Sequence, residues 1–162
     1  MKVLGLFLCL LCIAPDKELA TVRQQYIDAA VSAESALAFH ASFEDLDNSH
    51  QNTTLLAYKA ASIVLMAKYE KGLFAKTRYF NKGTDLLEEV IEKDAKNYEA
   101  RLLRLNIQDN VPWITGYTGD IKKDKAFLIA NYAAQPKDLK VFTKNYVVQC
   151  DAFSDKEKAA FN

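Results

Sequence analysis

Apolar residues between positions 55 and 108 recur at intervals of three and four, which is the spacing of amphipathic helices. The pattern predicts three successive helices, over about 53–71, 75–94 and 98–109. Gly72 is expected to end the first of them. Ala60 and Gly83 leave room for another backbone, so we expect the helices to pack closely in pairs. Stacked helical hairpins of this kind are typical of proteins that bind a partner on an extended surface.

Weaker apolar stripes on either side of this stretch predict the remaining helices. Residues 16–43 form one helix or two, and a break near Val31 is favoured because Ser32 can cap a second helix. Further helices are expected over 120–132, from Pro136, and after the capping-box pair Ser154 and Glu157. No segment alternates in the manner of a strand, so the chain is predicted to be all-α. About seven to eight helices are expected, as antiparallel hairpins in a short solenoid or a bundle.

The first fourteen residues predict a secretory signal peptide. A lysine at position 2 precedes an uninterrupted apolar run over 3–14, which is too short for a bilayer-spanning helix of about 20 residues. Pro15 follows the predicted cleavage site directly, where proline usually hinders processing, so an uncleaved membrane tether is the main alternative. Lipidation at Cys9 or Cys12 is a second alternative, although leucine and not a small residue precedes each cysteine. We expect residues 15–162 to form a single domain in the periplasm or cell envelope.

Charge and motif content argue against several classes of function. Basic and acidic residues each number 21, so no overall positive field attracts nucleic acid. The sequence has no HExxH, phosphate-loop or GxSxG motif. After the predicted signal peptide, the only histidines and cysteine that could bind zinc are His40, His50 and Cys150. A zinc site needs three or four ligands close together. We expect no cofactor, metal or catalytic residue, and a half-buried Cys150 or, alternatively, an intermolecular disulfide at that position.

The best candidate for a binding site lies at the end of the fifth predicted helix. Arg101, Arg104 and Gln108 are spaced three and four apart and share one helix face, and Trp113 and Tyr117 follow the helix. Arginine, tryptophan and tyrosine dominate the energetics of protein interfaces. The five residues are therefore predicted to bind a peptide or carboxylate of a protein partner. In the alternative interpretation Trp113 fills the core and the arginines form ion pairs with Glu88, Glu92 or Glu99.

Part of the chain resembles the second half of a tetratricopeptide repeat. The resemblance rests on Gly83, Leu87, Val90 and the corner at 94–97, which a new helix follows at once. It implies stacked helical hairpins with a groove for a protein or peptide. The chain departs from the family's pattern at Ala95, where the family has proline, and it lacks the family's Leu-Gly pair in register.

A second resemblance concerns the run RLLRLNIQDNVPWITGY at 101–117, which is similar to a segment of small exported helical proteins of Bacteroidota. This resemblance implies export and a helical architecture, and it carries no catalytic residue. The leading hypothesis is a non-catalytic exported scaffold that binds a protein or peptide in the cell envelope. The alternative is an enzyme or small-molecule binder of unrecognised type, with a pocket near Trp113 and Tyr117.

Overall fold

A computed structural model describes the chain from residue 16 to residue 162, so the predicted signal peptide over 1–14 lies outside the described residues. Every regular element within this range is a helix, and the predicted all-α class is confirmed. The α-helices are α1 (Asp16–Ala29), α2 (Ala33–Ala41), α3 (Thr53–Tyr69), α4 (Leu73–Lys93), α5 (Tyr98–Asn110), α6 (Ile121–Asn131), α7 (Lys137–Gln149) and α8 (Asp155–Lys158). Three short 3-10 turns lie at Trp113–Thr115, Tyr132–Ala134 and Ala159–Phe161.

The break between the first two helices is present, as predicted. Ser32 Oγ accepts a hydrogen bond from the Ser35 backbone N–H at 3.1 Å and caps α2. Asn52 caps α3 in the same way by accepting a hydrogen bond from the Leu55 N–H at 3.1 Å. Local capping by short polar side chains therefore determines where both helices begin.

Helices α3 and α4 form the most extensive helix pair of the described chain. A Cβ atom on Gly83 would lie 2.8 Å from the Ala60 carbonyl oxygen and 2.5 Å from Val64 Cγ2. Such distances are far below ordinary van der Waals contact, so only glycine fits at this crossing. The close approach predicted from Ala60 and Gly83 is confirmed.

The prediction that Gly72 ends α3 is wrong. Helix α3 ends at Tyr69 with Glu70 as its C-cap, and Gly72 is the N-cap of α4, which begins at Leu73. Gly72 has φ −87° and ψ 132°, an extended conformation, and not the left-handed one that commonly ends a helix. As a consequence, the exposed apolar residues Leu73 and Phe74 belong to the first turn of α4.

Helix α5 separates two apolar clusters, and ten of its thirteen residues are buried. One cluster packs α1, α2, α3 and α4 against Leu103 and Ile107. The other packs α6, α7, Phe153 and the C-terminal turn against Leu102 and Leu105. Because neighbouring α5 residues face opposite clusters, a shift of α5 would disturb both.

Candidate functional site

The predicted face of α5 is buried, and its two arginines converge on one carboxylate. Asp124 of α6 has a relative exposure of 0%. Arg104 donates to it through Nε at 2.7 Å and Nη2 at 2.8 Å, and Arg101 donates through Nη1 at 2.8 Å. Charge-assisted bidentate pairs of this kind are the strongest side-chain hydrogen bonds. The arginines of α5 therefore attach α6 to the bundle.

Glu88 of α4 extends this network on its exposed side. It accepts from Arg104 Nη1 at 2.6 Å and from the Tyr117 hydroxyl at 2.5 Å. Burial and the hydrogen bond to Glu88 raise the pKa of Tyr117 well above its usual range. Burial lowers the pKa of Arg104, but Asp124 and Glu88 outweigh that effect and raise it overall. Arg104 therefore keeps its charge, and Tyr117 its phenolic proton, at physiological pH.

The alternative interpretation, in which the arginines form ion pairs with glutamates, is correct for Glu88 but does not include Asp124. Glu88 is a partner of Arg104, whereas Glu99 binds Arg23 on the opposite side of α5. Asp124 was missed, although a signal existed in the sequence: it lies three residues after Ile121 and four before Leu128 on the apolar stripe of α6. A carboxylate at a core position needs a buried cation, which the sequence alone does not identify.

The remaining predicted residues lie in different environments. Gln108 is buried, and its Oε1 has no hydrogen-bond partner among the side chains and backbone described. Trp113 is 84% exposed in the 3-10 turn after α5, so the interpretation of Trp113 as a core residue is wrong. Its neighbour Ile114 is 78% exposed. Of the five predicted binding residues, Trp113 is thus the one that a partner reaches most easily.

A second buried ion pair, also missed by the sequence analysis, connects α1, α5 and α7. Arg23 donates to Glu99 through Nε at 3.0 Å and Nη2 at 2.6 Å, and through Nη1 to Asp138 at 2.5 Å. The Tyr58 hydroxyl donates to Glu99 at 2.7 Å. Burial, followed by the charge of Glu99, raises the pKa of Tyr58 well above its ordinary value. Arg23 thereby sets the positions of three helices relative to one another.

One serine–histidine contact has its hydrogen bond in the wrong direction for a serine nucleophile activated by a histidine base. His40 Nδ1 lies 3.1 Å from Ser62 Oγ, but the buried Ser62 hydroxyl donates its proton to the Lys59 carbonyl oxygen at 2.7 Å. Ser62 therefore accepts from His40 and does not donate to it. Within the described part of the chain, no group of three or more His, Cys, Asp or Glu residues could hold a metal ion.

Three helices end side by side and define one end of the bundle. The Tyr69 hydroxyl donates to the Ala29 carbonyl at 3.0 Å, which joins the C-terminal ends of α3 and α1. The Tyr26 hydroxyl donates to Asn106 Oδ1 at 2.7 Å, which brings the last turns of α5 to the same end. The beginning of α4 and the turn after α5 follow these helix ends directly in the chain.

This end carries most of the large apolar side chains that are exposed between residues 19 and 162. Seven of nine lie there, and we call this region the apolar end: Ile27, Val31, Leu73, Phe74, Trp113, Ile114 and Val148. The other two, Leu37 and Val141, lie elsewhere on α2 and α7. Single exposed apolar residues are ordinary, but their accumulation at one place marks an interaction surface.

A groove of about 580 Å³ opens at the apolar end between α1, α5 and α7. Its apolar walls are formed by Tyr26, Ile27, Ala30, Val31, Leu102, Leu103, Phe142, Tyr146 and Val148. Polar side chains complete the lining, namely Asn106, Lys144, Asn145 and Gln149. An apolar floor with a few polar groups is the usual composition of a site that binds a protein segment.

Comparison with known proteins adds no relative: no family model, curated protein or solved structure matches the chain. The tetratricopeptide and Bacteroidota resemblances therefore stay predictions. Between residues 16 and 162, no helix is both long and apolar enough to cross a lipid bilayer.

Proposed function

We propose that this chain is a non-catalytic helical module that binds a partner protein through the groove between α1, α5 and α7. The occupant is the apolar face of an amphipathic helix of the partner. If residues 1–14 act as the predicted signal peptide, the module works in the periplasm or cell envelope.

The observation that carries this proposal is the exposure of the groove's own aliphatic residues. Ile27, Val31 and Val148 are 43%, 81% and 59% exposed. Each square ångström of apolar surface removed from water contributes about 25 cal/mol in favour of a complex, against which the loss of motional freedom on association counts. A partner that covers these three side chains gains this energy. The asparagine and glutamine side chains of the groove and Lys144 can form hydrogen bonds with polar groups at the edge of the contact.

The groove is preorganised by the Arg23 ion pair. Arg23 belongs to α1, Glu99 to α5 and Asp138 to α7, so one guanidinium connects all three helices that line the groove. Because these helices are already fixed, binding does not have to order them. A rigid apolar groove between helices is the geometry that accepts an amphipathic helix whose apolar residues recur at intervals of three and four.

The alternative hypothesis, a small-molecule pocket near Trp113 and Tyr117, has less support. Neither the groove nor a smaller cavity of about 360 Å³ beside Phe43 is lined by these two residues. Tyr117 is hydrogen-bonded to Glu88, and Trp113 projects into solvent.

A pair of valines on α7 tests the proposal. Val148 lines the groove and is 59% exposed, whereas Val141 is 52% exposed and does not line it. A photo-crosslinking amino acid is placed at either position in the full chain, and captured proteins are identified in cells of the source organism. We expect one protein to be captured from position 148 and not from position 141.

The captured segment is then synthesised as a peptide and its affinity is measured by fluorescence anisotropy. Val148→Asp should weaken peptide binding at least about tenfold, because it places a charge in an apolar contact. Val141→Asp should leave the affinity unchanged. Equal capture at both positions, or equal affinity of both variants, would refute the groove as the binding site.

A further inference from the structure

The beginning of α4 projects from the apolar end. Leu73 and Phe74 are 76% and 94% exposed, and the nearby residues Gly72 and Lys76 are exposed too. We call the segment 68–82, which contains the turn between α3 and α4, the hairpin tip. It does not line the groove of α1, α5 and α7, so its exposed apolar pair requires a separate explanation.

The hairpin tip is strongly basic, although the chain as a whole is neutral. It contains five cations, Lys68, Lys71, Lys76, Arg78 and Lys82. Glu70 is its single acidic residue, so the segment has a net charge of +4. Lys71, Lys76, Arg78 and Lys82 are exposed, and no acidic side chain between residues 19 and 162 forms a salt bridge with them.

We propose that the hairpin tip docks on the surface of an anionic phospholipid bilayer. Leu73 and Phe74 enter the boundary between headgroups and acyl chains, and the surrounding cations contact the lipid phosphates. Long lysine side chains suit this position because their stems stay apolar while the ammonium groups remain at the headgroups. The contact is a surface attachment and differs from the N-terminal tether considered in the sequence analysis.

Charge distinguishes this occupant from a protein partner. The contact regions of protein interfaces are depleted in lysine, whereas four of the five cations of the hairpin tip are lysines. An anionic leaflet attracts each nearby lysine or arginine enough to strengthen binding roughly fivefold. Gly72 provides no side-chain cap for α4. The positive end of the helix dipole therefore adds to the positive potential of these cations.

The inference is tested with purified protein and lipid alone. The protein is purified in the form that cells accumulate and is sedimented with vesicles of phosphatidylcholine and phosphatidylglycerol in a ratio of seven to three, or with phosphatidylcholine only. We expect binding to the anionic vesicles that is at least about tenfold stronger than to the neutral ones and that weakens with added salt.

Two double variants distinguish vesicle binding by the hairpin tip from nonspecific binding through other exposed apolar side chains. Leu73→Ser with Phe74→Ser should weaken binding to the anionic vesicles at least about tenfold. Leu37→Ser with Val141→Ser changes two side chains that are 57% and 52% exposed outside the apolar end, and it should bind as the unchanged protein does. Circular dichroism confirms that each variant is folded.

Three results would overturn the proposal: no preference for anionic vesicles, equal binding of the two double variants, or binding that does not respond to salt. A loss of partner capture with unchanged vesicle binding in the tip variant would show instead that the tip contacts protein. Val148→Asp should leave vesicle binding unchanged, so failure of the groove proposal and failure of this one are distinguishable.

Discussion

Arg104 of α5 and Asp124 of α6 form a bidentate ion pair inside the protein, with N–O distances of 2.7 and 2.8 Å. Asp124 is fully buried and Arg104 is 2% exposed. Breaking a buried pair from one side leaves an uncompensated charge in a medium that solvates it poorly. The pair therefore makes the position of α6 sensitive to a single substitution.

Asp124→Asn should lower the free energy of unfolding by about 3–5 kcal/mol, because it leaves Arg101 and Arg104 buried without their shared carboxylate. Urea denaturation followed by circular dichroism measures the loss. Asp120→Asn is the matched control: Asp120 lies 3.5 Å from Arg104 with its side chain 35% exposed, and its loss should cost no more than about 1 kcal/mol. Equal losses in the two variants would contradict a structural role for the arginines of α5.

Gly83→Ala should destabilise the protein, although alanine is the better helix former. Alanine in a helix interior is favoured over glycine by up to about 1 kcal/mol. The added Cβ would lie 2.8 Å from backbone atoms of Ala60 and Val64, which cannot move without separating α3 from α4. We expect a net loss of about 1–3 kcal/mol, measured as a lower urea midpoint.

Gly119→Ala provides the reference for this substitution. Nothing lies within 4 Å of a Cβ at Gly119, and its φ is not in the left-handed range. Its effect should stay within about 0.5 kcal/mol. If Gly83→Ala raised stability, the close crossing of α3 and α4 would be disproved.

The helix ends were predictable wherever a single side chain determines them. Ser32 as a cap and the capping box of Ser154 and Glu157 were read from the sequence and are present. Gly72 was assigned to the wrong helix, because a glycine between two helices can end the first or begin the second. Its extended backbone conformation depends on how α3 and α4 pack.

The candidate site was less predictable because its geometry depends on residues far apart in sequence. Periodicity correctly placed Arg101 and Arg104 on one face of α5, but Asp124 follows them by 23 and 20 residues on another helix. Trp113 was assigned to a binding face or to the core from its residue type. Its 84% exposure follows from the direction of the 3-10 turn after Pro112, which tertiary packing determines.

Cys150 should react slowly with alkylating reagents in the folded protein. It is 1% exposed, and burial raises the pKa of its thiol to about 11, with Asp109 contributing in the same direction and Tyr146 opposing. Since the thiolate is the reactive form, alkylation by iodoacetamide at pH 8 should be roughly 100-fold slower than in urea-unfolded protein. Mass spectrometry over time measures both rates. Rapid labelling, or a disulfide-linked dimer of residues 15–162, would contradict a buried and inert thiol.

Mild acid should destabilise the protein through His40. Burial lowers the pKa of His40 below its ordinary value, Lys82 adds to this effect, and Glu44 opposes it. A lowered pKa in the folded state means that folding favours the neutral imidazole, so this contribution to stability is complete above about pH 6.5. It is lost as the pH falls from there towards the lower pKa of the folded state, because the unfolded chain binds the proton first.

The urea midpoint should therefore fall between pH 7.5 and pH 5, and His40→Gln should make that decrease smaller. Glutamine cannot titrate, yet it can still form a hydrogen bond with Ser62, which His40 contacts at 3.1 Å. Proton NMR of the His40 ring gives its pKa in the folded protein directly. A midpoint with the same pH dependence in both proteins would show that His40 does not contribute to it.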